Sequence, residues 1–500
     1  MRARERIGRA LWRWAHKRAA DALRRADPRR LVALGERRAL AVFHRAARRV
    51  PAYRRLLEEH GVDPASVRTI EDFKARVPIT DKRSVFSEHE LSEVCLDGEL
   101  DDFSLFYSSS GHSGTFSFGG ETRRQLRRAE RMVEFFLEAT FGALSRKTLV
   151  INCLSSGVKV PTGRIPRAET SVRSDVVLAL VEKFRRELDQ FILIGESLFL
   201  KKVAEEGVAR GIPWHEMTTH VVTGGEFIAE NYRSYLAALL GVDFDDPRSG
   251  LILVSMGISE VATSLLREEP ATALIRRAAC QDERLRERLF GSTHGACQCL
   301  MAYLPTDVYL ETVPGRDGLP HLVVTTLDPL RKIPLVRYAT GDVAELVSYE
   351  RLAQTLKELG YGQLVPEWKL PLAAVSGRAE WLELPGGGRV SPNDVKEALF
   401  ADPAVAWWVT GRFQLRLCPA RPCVVVQLKR GECAREGLAA RLSTLIAEHT
   451  GHRLDVAVVP CEEFGTGLEL DYERKPRYVA RGSGHWRTPL EAVSSTSPRG

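Results

Sequence analysis

From about residue 147 the chain alternates short apolar runs with stretches of helical period. Residues 148–153, 191–194, 220–222 and 251–255 are apolar runs of strand length, separated by 171–188, 197–210 and 228–240, where apolar positions recur three and four apart. Strands separated by helices of this length predict a parallel or mixed sheet with helices on both faces. Between 308 and 347 the pattern changes to shorter strands (308–313, 321–327, 333–338) with Gly and Pro turns. After Gly377 a smaller unit begins: a strand, a helix at 391–400, strands at 405–410, 413–417 and 424–428, a helix at 437–450 and a strand at 454–459. The expected fold class is therefore α/β, with a large N-terminal domain of mixed or parallel sheets covered by helices and a small C-terminal α+β domain. The boundaries expected are a helical extension at 1–50, the large domain at 51–376, the small one at 377–482 and a disordered Ser, Pro and Gly-rich tail at 483–500.

Charge changes this picture at one end. The formal net charge is +7, but residues 1–49 hold sixteen Lys and Arg against four Asp and Glu, a net +12, so the remainder is mildly acidic at −5. The basic character belongs to the extension, and a nucleic-acid enzyme is not indicated. Within it, Ile7, Ala10, Leu11 and Trp14 form a short apolar stripe on a helix spanning 3–25, and a second helix spans 31–49. Packing on its own domain, a peripheral membrane contact and docking of an acidic partner all fit; packing is preferred, because a short face with small alanines binds membranes weakly. No run of about 18 apolar residues and no secretory signal occurs, so a cytoplasmic protein is expected. The nine cysteines lack paired spacing, which predicts reduced thiols. Cys280, His294, Cys297 and Cys299 offer four zinc-type ligands, but Cys-x-Cys departs from the usual knuckle, and core or surface thiols are the preferred reading.

The candidate chemistry lies in separated motifs. Tyr107-Ser108-Ser109-Ser110-Gly111-His112-Ser113-Gly114-Thr115 is a loop of hydroxyls and glycines that can aim backbone N–H groups at phosphate oxygens. Thr223-Gly224-Gly225-Glu226 and Met256-Gly257-Ile258-Ser259-Glu260 each follow an apolar strand, where open α/β sheets bind ligands. Arg337-Tyr338-Ala339-Thr340-Gly341-Asp342, Gly377-Arg378-Ala379-Glu380 and Lys475-Pro476-Arg477 complete the series. Taken singly, each is a turn, a helix-start glutamate or a surface basic cluster. In this order they resemble the adenylate-forming superfamily. Arg48-Arg49-Val50-Pro51-Ala52-Tyr53-Arg54, Thr69-Ile70-Glu71-Asp72-Phe73 and Val77-Pro78-Ile79-Thr80-Asp81-Lys82 narrow the resemblance to its phenylacetate-CoA ligase-like branch, over roughly 40–480.

The resemblance implies an enzyme that uses ATP and Mg2+ to convert a small carboxylic acid into acyl-AMP and passes the acyl group to a thiol, coenzyme A being favoured. Phosphopantetheine on an acyl or peptidyl carrier protein, an amine acceptor, or a nucleotide-binding scaffold without catalysis are the alternatives. It implies that Ser109, Ser110, Gly111, His112, Ser113, Gly114 and Thr115 face the phosphates, and that Gly224, Gly225, Glu226, Met256, Gly257, Ile258 and Ser259 frame the adenine. Glu260 would hold magnesium, Asp342 the ribose hydroxyls, and Arg378 the ribose or phosphate edge. Lys475 would be the catalytic lysine, on a small domain that is mobile about Glu380. Three departures stand out: Thr115 replaces a lysine, Met256 an aromatic residue and Trp381 a second acid at the hinge. An acyl pocket is expected beside 191–196, 223–227 and 255–258, whose apolar character suits an aromatic or aliphatic acid.

Overall fold

The computed structural model describes residues 2–108, 116–155, 158–258, 263–291, 295–418, 421–464, 472 and 476–480. Helices α1 (Arg2–Arg25) and α2 (Pro28–Arg49) separate at Asp27, whose carboxylate accepts from the Arg29 N–H at 3.0 Å while Pro28 takes the first helical position. Ala39, Val42, Phe43 and Ala46 bury one face of α2 against Phe73, Tyr309 and Val336, so this helix shares a core with the body. α3 (Pro51–Glu59) and α4 (Ile70–Arg76) follow, the latter started by a Thr69/Asp72 capping box. The antiparallel hairpin β1 (Phe103–Ser108) and β2 (Phe118–Thr122) then feeds α5 (Arg123–Phe141).

The helix α1 packs against α5, as the preferred reading expects, but through a different face. His16 and Ala20 are buried, with Trp12 and Leu23 along the same side, against Phe135 and Trp368. Leu11 and Trp14 of the apolar stripe remain 60% and 58% exposed. The aromatic surface of α5 selects residues spaced four apart, 12, 16 and 20, which lie on the far side of the helix from 11 and 14.

Among the described residues the large sheet has eleven strands, in the order β10-β11-β12-β13-β9-β8-β7-β6-β5-β3-β4. Its parallel half comprises β3 (Thr148–Asn152), β4 (Arg167–Glu169), β5 (Gln190–Glu196), β6 (Thr218–Gly224) and β7 (Ile252–Ile258). Helices α6 (Ser174–Phe184), α7 (Ser197–Ala209) and α8 (Glu230–Leu240) connect these strands. The remainder is antiparallel: β8 (Thr263–Arg267), β9 (Cys299–Tyr303), β10 (Val308–Pro314), β11 (Pro320–Thr326), β12 (Tyr338–Val347) and β13 (Leu372–Arg378). Helices α9 (Pro270–Gln281), α10 (Glu283–Phe290) and α11 (Tyr349–Glu358) lie among them. The strand expected at 333–338 does not form. Pro334 lacks an N–H, Arg337 has φ +47°, and the ladder starts only at Tyr338.

The C-terminal unit contains the short pair β14 (Leu382–Glu383) and β15 (Arg389–Val390), then α12 (Pro392–Phe400) and α13 (Pro403–Trp408). A three-stranded sheet of β16 (Val409–Cys418), β17 (Arg421–Leu428) and β18 (Asp455–Val459) is joined by α14 (Leu438–Thr450). Of the strand expected at 405–410, residues 405–408 are instead helical, in α13, because Asp402 caps the Ala404 N–H and Pro403 fixes the first turn. Cys423 is disulfide-bonded, a departure from the expectation of reduced thiols. The main apolar cluster passes from Leu198 and Phe227 into Val395, Leu399, Phe400 and Phe413, so the two units share one core in this state.

Candidate functional site

The site grows from the carboxyl ends of β5, β6 and β7, which lie side by side with Glu196 opposite Gly224 and Gly224 opposite Ser255. A Cβ on Gly224 would stand 2.0 Å from the Ser255 carbonyl oxygen, so only glycine allows the two strand ends to approach this closely. Gly225, at φ +92°, then turns the chain out of the sheet. Met256, Gly257 and Ile258 belong to β7 itself, with a bulge between Met256 and Gly257. Ile258 is buried among Phe86, Ile333 and Tyr338, while Met256 is half-buried at the edge of the main core.

Asp342 and Arg378 meet across β12 and β13. They are register partners, and the Arg378 Nε lies 3.9 Å from an Asp342 carboxylate oxygen. Thr340, Gly341 and Asp342 sit in an irregularity of the β11/β12 ladder, not in a hairpin turn, with Gly341 at φ +81° facing the Arg378 guanidinium. This bulge presents Asp342, with a 16% exposed side chain, beside the 54% exposed Arg378. Gly377 lies against Phe227, where a Cβ would come within 3.3 Å of the Phe227 Cβ, and so the bulge and the Gly224-Gly225-Glu226 turn are neighbours. Arg337 points away from this edge and donates to Glu311 and to the Phe73 and Val77 carbonyls, tying α4 to the sheet.

Glu226 departs most from the expected arrangement. It does not face an open adenine pocket; its carboxylate is enclosed between the two units. Oε2 accepts from Lys396 Nζ of α12 at 2.5 Å and from the Tyr478 hydroxyl at 2.7 Å, and Oε1 accepts from Ser197 Oγ at 2.7 Å. Burial works to raise this carboxyl, yet the Lys396 ammonium and the two hydroxyls outweigh it and hold Glu226 well below the usual range. Burial also pushes the neighbouring Glu196 up, and there the negative Glu226 adds to the effect, so the two carboxyls shift in opposite directions. The space left between Phe227, Lys396, Phe400 and Tyr478 is about 10 Å3, room for no more than a water molecule.

Further polar ties hold the units in register. Glu397 of α12 accepts from the Glu230 and Asn231 N–H groups at 2.8 and 2.9 Å, capping α8. Asn393 donates to the Ser376 carbonyl, and Asp394 accepts from the Ala296 N–H, each at 2.7 Å. Sequence reasoning missed Lys396 and Tyr478. The available signal was Lys396 itself, a cation on the same helical face as Pro392, Leu399 and Phe400, where an unpaired charge would not be buried.

Residues 109–115, Ser259, Glu260 and Lys475 lie outside the described residues, as does His294. Cys297 Sγ accepts from Arg286 Nε at 3.1 Å, with Cys280 beside it, whereas the Cys299 thiol lies near the Ile228 carbonyl. Among the described residues no three His, Cys, Asp or Glu side chains come together to hold a metal, and no helix is long and apolar enough to cross a membrane.

No protein-family model matches the chain. Its sequence is 25% identical over 385 residues to phenylacetate-coenzyme A ligase of Thermus thermophilus, covering 75% of this chain and 76% of that protein. Its fold matches 2-hydroxyisobutyryl-CoA ligase in the postadenylation state in complex with 2-HIB-AMP, with a TM-score of 0.65, 14% identity, and 93% and 91% of the two chains covered. The same ligase in the thioesterification state, in complex with 2-HIB-AMP and CoA, superposes with a TM-score of 0.54, 15% identity and coverage of 91% and 90%. The chain is thus a relative of phenylacetate-coenzyme A ligase with the fold of the adenylate-forming CoA ligases.

Proposed function

We propose that this protein activates a carboxylic acid with ATP to acyl-AMP and transfers the acyl group to the thiol of coenzyme A. The observation that supports it best is the convergence of the Gly224-Gly225-Glu226 turn, the Asp342/Arg378 pair and the β7 end on one edge of the sheet. These groups come from three separated motifs, and the sequence is similar to a coenzyme A ligase. In the first half-reaction a carboxylate oxygen bonds to the α-phosphorus of ATP and the bond to pyrophosphate breaks. In the second, the thiol loses its proton, its sulfur bonds to the acyl carbon, and AMP leaves.

Asp342 supplies a carboxylate that accepts from both ribose hydroxyls, and the planar Arg378 guanidinium covers the adjoining edge of the nucleotide. The hydroxyl and glycine loop from Ser109 to Thr115 cradles the phosphates, and Lys475 offsets charge that develops between the carboxylate and the α-phosphate. Tyr478, three residues beyond Lys475, sits on Glu226, which supports a role for that segment at this edge of the sheet. Glu260, which lies outside the described residues, would hold magnesium, and the ion bound with ATP would neutralise phosphate charge.

The acid is proposed to be aromatic or aliphatic, received by the apolar ends of β5, β6 and β7. The better superposition on the postadenylation form of the neighbouring ligase supports reading this arrangement as the one on the adenylate side of the cycle. Turning the small unit about Glu380 would then admit the thiol. Pyrophosphate release across aryl, fatty and amino acids, with and without coenzyme A, tests the assignment. Lys475→Ala should nearly abolish carboxylate-dependent pyrophosphate exchange and spare transfer from preformed acyl-AMP. Normal exchange in that variant, or silence with every acid despite ATP binding, would overturn the assignment, and the second result would favour a nucleotide-binding scaffold.

A further inference from the structure

The ligase reading gives no role to the helix α1, yet that helix is two-faced. Its inner side is committed to the protein. The Trp12 ring lies under the Arg164 guanidinium at 4.2 Å, and His16 meets the Phe135 ring edge-on at 5.7 Å. Ala20 and Leu23 join the Phe135, Trp368 and Leu370 cluster, and Arg24 pairs with Glu367 at 2.8 Å. At 3.6 residues per turn, Leu11, Trp14, Arg18 and Arg25 fall on roughly the opposite side of the helix. The structure leaves all four exposed, together with Arg13 and Lys17.

None of Arg13, Lys17, Arg18 and Arg25 forms an ion pair among the described residues. Arg18 lies over the Trp14 ring at 4.9 Å, so cation and indole project together. The acidic remainder of the chain could have neutralised these charges but does not reach them, although it takes up Arg24, Arg29 and Arg49. What remains is a tryptophan and a leucine ringed by unpaired cations on a convex helix.

We infer that this outer face of α1 is a peripheral contact for an anionic lipid surface. A protein partner would need a complementary surface of several hundred Å2 around two projecting side chains. A lipid surface needs no such shape: indole and leucine enter the headgroup boundary, and Arg and Lys stay with the anionic headgroups. With two large apolar side chains the attachment is reversible and depends on charge, and it holds the catalytic body at the membrane without a spanning segment.

Co-sedimentation of the full-length protein tests this, with vesicles of phosphatidylcholine alone and with about 30% phosphatidylserine, at roughly 0.1 M salt. Binding is expected only to the anionic vesicles. It should fall at least about tenfold when salt is raised to about 0.5 M, and likewise in the variant Arg13→Glu, Lys17→Glu, Arg18→Glu, Arg25→Glu. Leu11→Ser with Trp14→Ser should weaken binding with pyrophosphate exchange unchanged, which shows that the protein is folded. If the charge variant fails to fold, the salt arm on the unaltered protein decides. No binding to anionic vesicles, equal binding to neutral ones, or unaltered binding by the Leu11/Trp14 variant would each overturn the inference. Retention on an immobilised acidic carrier protein without vesicle binding would overturn it in favour of protein docking.

Discussion

Removing the Lys396 ammonium tests how the small unit is held. In Lys396→Met the side chain keeps an unbranched apolar stem, one heavy atom shorter, while Glu226 loses its counter-ion at 2.5 Å, in a site where both side chains are about 10% exposed. Ser197 and Tyr478 still donate, but an enclosed carboxylate without a cation costs about 3–5 kcal/mol. Adding Glu226→Gln removes the charge itself, so the double variant should lie within about 1–2 kcal/mol of the parent, and the cycle should return a coupling of a few kcal/mol. Urea unfolding followed by tryptophan fluorescence gives these differences where the slope is unchanged. The pH dependence carries the sign. The folded-state pKa of Glu226 is depressed, so its stabilisation is present above the unfolded value near ~4.3 and is lost as pH falls through the folded one. Glu196 is raised to about 8, so its stabilisation is full below ~4.3 and is lost as pH rises through about 8. Without Lys396, Glu226 joins the second class. The variant should therefore lose stability faster than the parent between pH ~5 and ~8, by up to about 1.4 kcal/mol more per unit. A single variant less than about 1 kcal/mol destabilised, with parallel pH profiles, would refute the buried-pair reasoning.

Other substitutions probe the remaining parts of the site. Asp342→Asn should raise the KM for ATP at least tenfold with little change in urea midpoint, because its ion pair with Arg378, at 3.9 Å, is largely exposed on one side; an unchanged KM would remove Asp342 from nucleotide binding. Gly224→Ala drives a methyl against the Ser255 carbonyl and should cost activity together with stability, on the order of 2–3 kcal/mol, read from activity and urea unfolding in parallel. Arg233→Ala leaves Glu268 and Glu230 buried without the guanidinium that contacts them at 2.8–3.1 Å, and should destabilise by about 3–5 kcal/mol in urea unfolding.

The alternation of apolar runs with helical periods was enough to anticipate the parallel half of the sheet, since buried parallel strands need apolar runs and their crossovers need helices. The strand ends at Gly224 and Met256 follow from the same pattern. Local signals failed where backbone chemistry overrode side-chain pattern. Apolar residues 405–408 read as strand until Asp402 and Pro403 are taken as a helix start, and Ile333, Leu335 and Val336 are buried without a ladder because of Pro334 and the left-handed Arg337. The stripe through Leu11 and Trp14 was a correct pattern assigned to the wrong partner, because sequence periodicity ranks the faces of a helix but does not say which one meets Phe135 and Trp368.

The glutamate of Thr223-Gly224-Gly225-Glu226 shows the deeper limit of sequence reading. Its position after an apolar strand was legible; its partners, Lys396 and Tyr478, lie 170 and 252 residues further along the chain. Such contacts carry no periodicity, and only the combined cost of burying a cation and an anion separately reveals that they must meet. That cost also gives the proposed domain rotation its physical content. Swinging the small unit about Glu380 must part Lys396 and Tyr478 from Glu226 and release Glu397 from the α8 N-terminus, exposing charges that water can then solvate. In a rotated state solvation would replace the lost polar contacts, whereas a variant that leaves one charge buried would have no such compensation. Rotation must also part the apolar core that Leu198 and Phe227 share with Val395, Leu399 and Phe400, so water offsets the cost of opening only for the polar part of the interface.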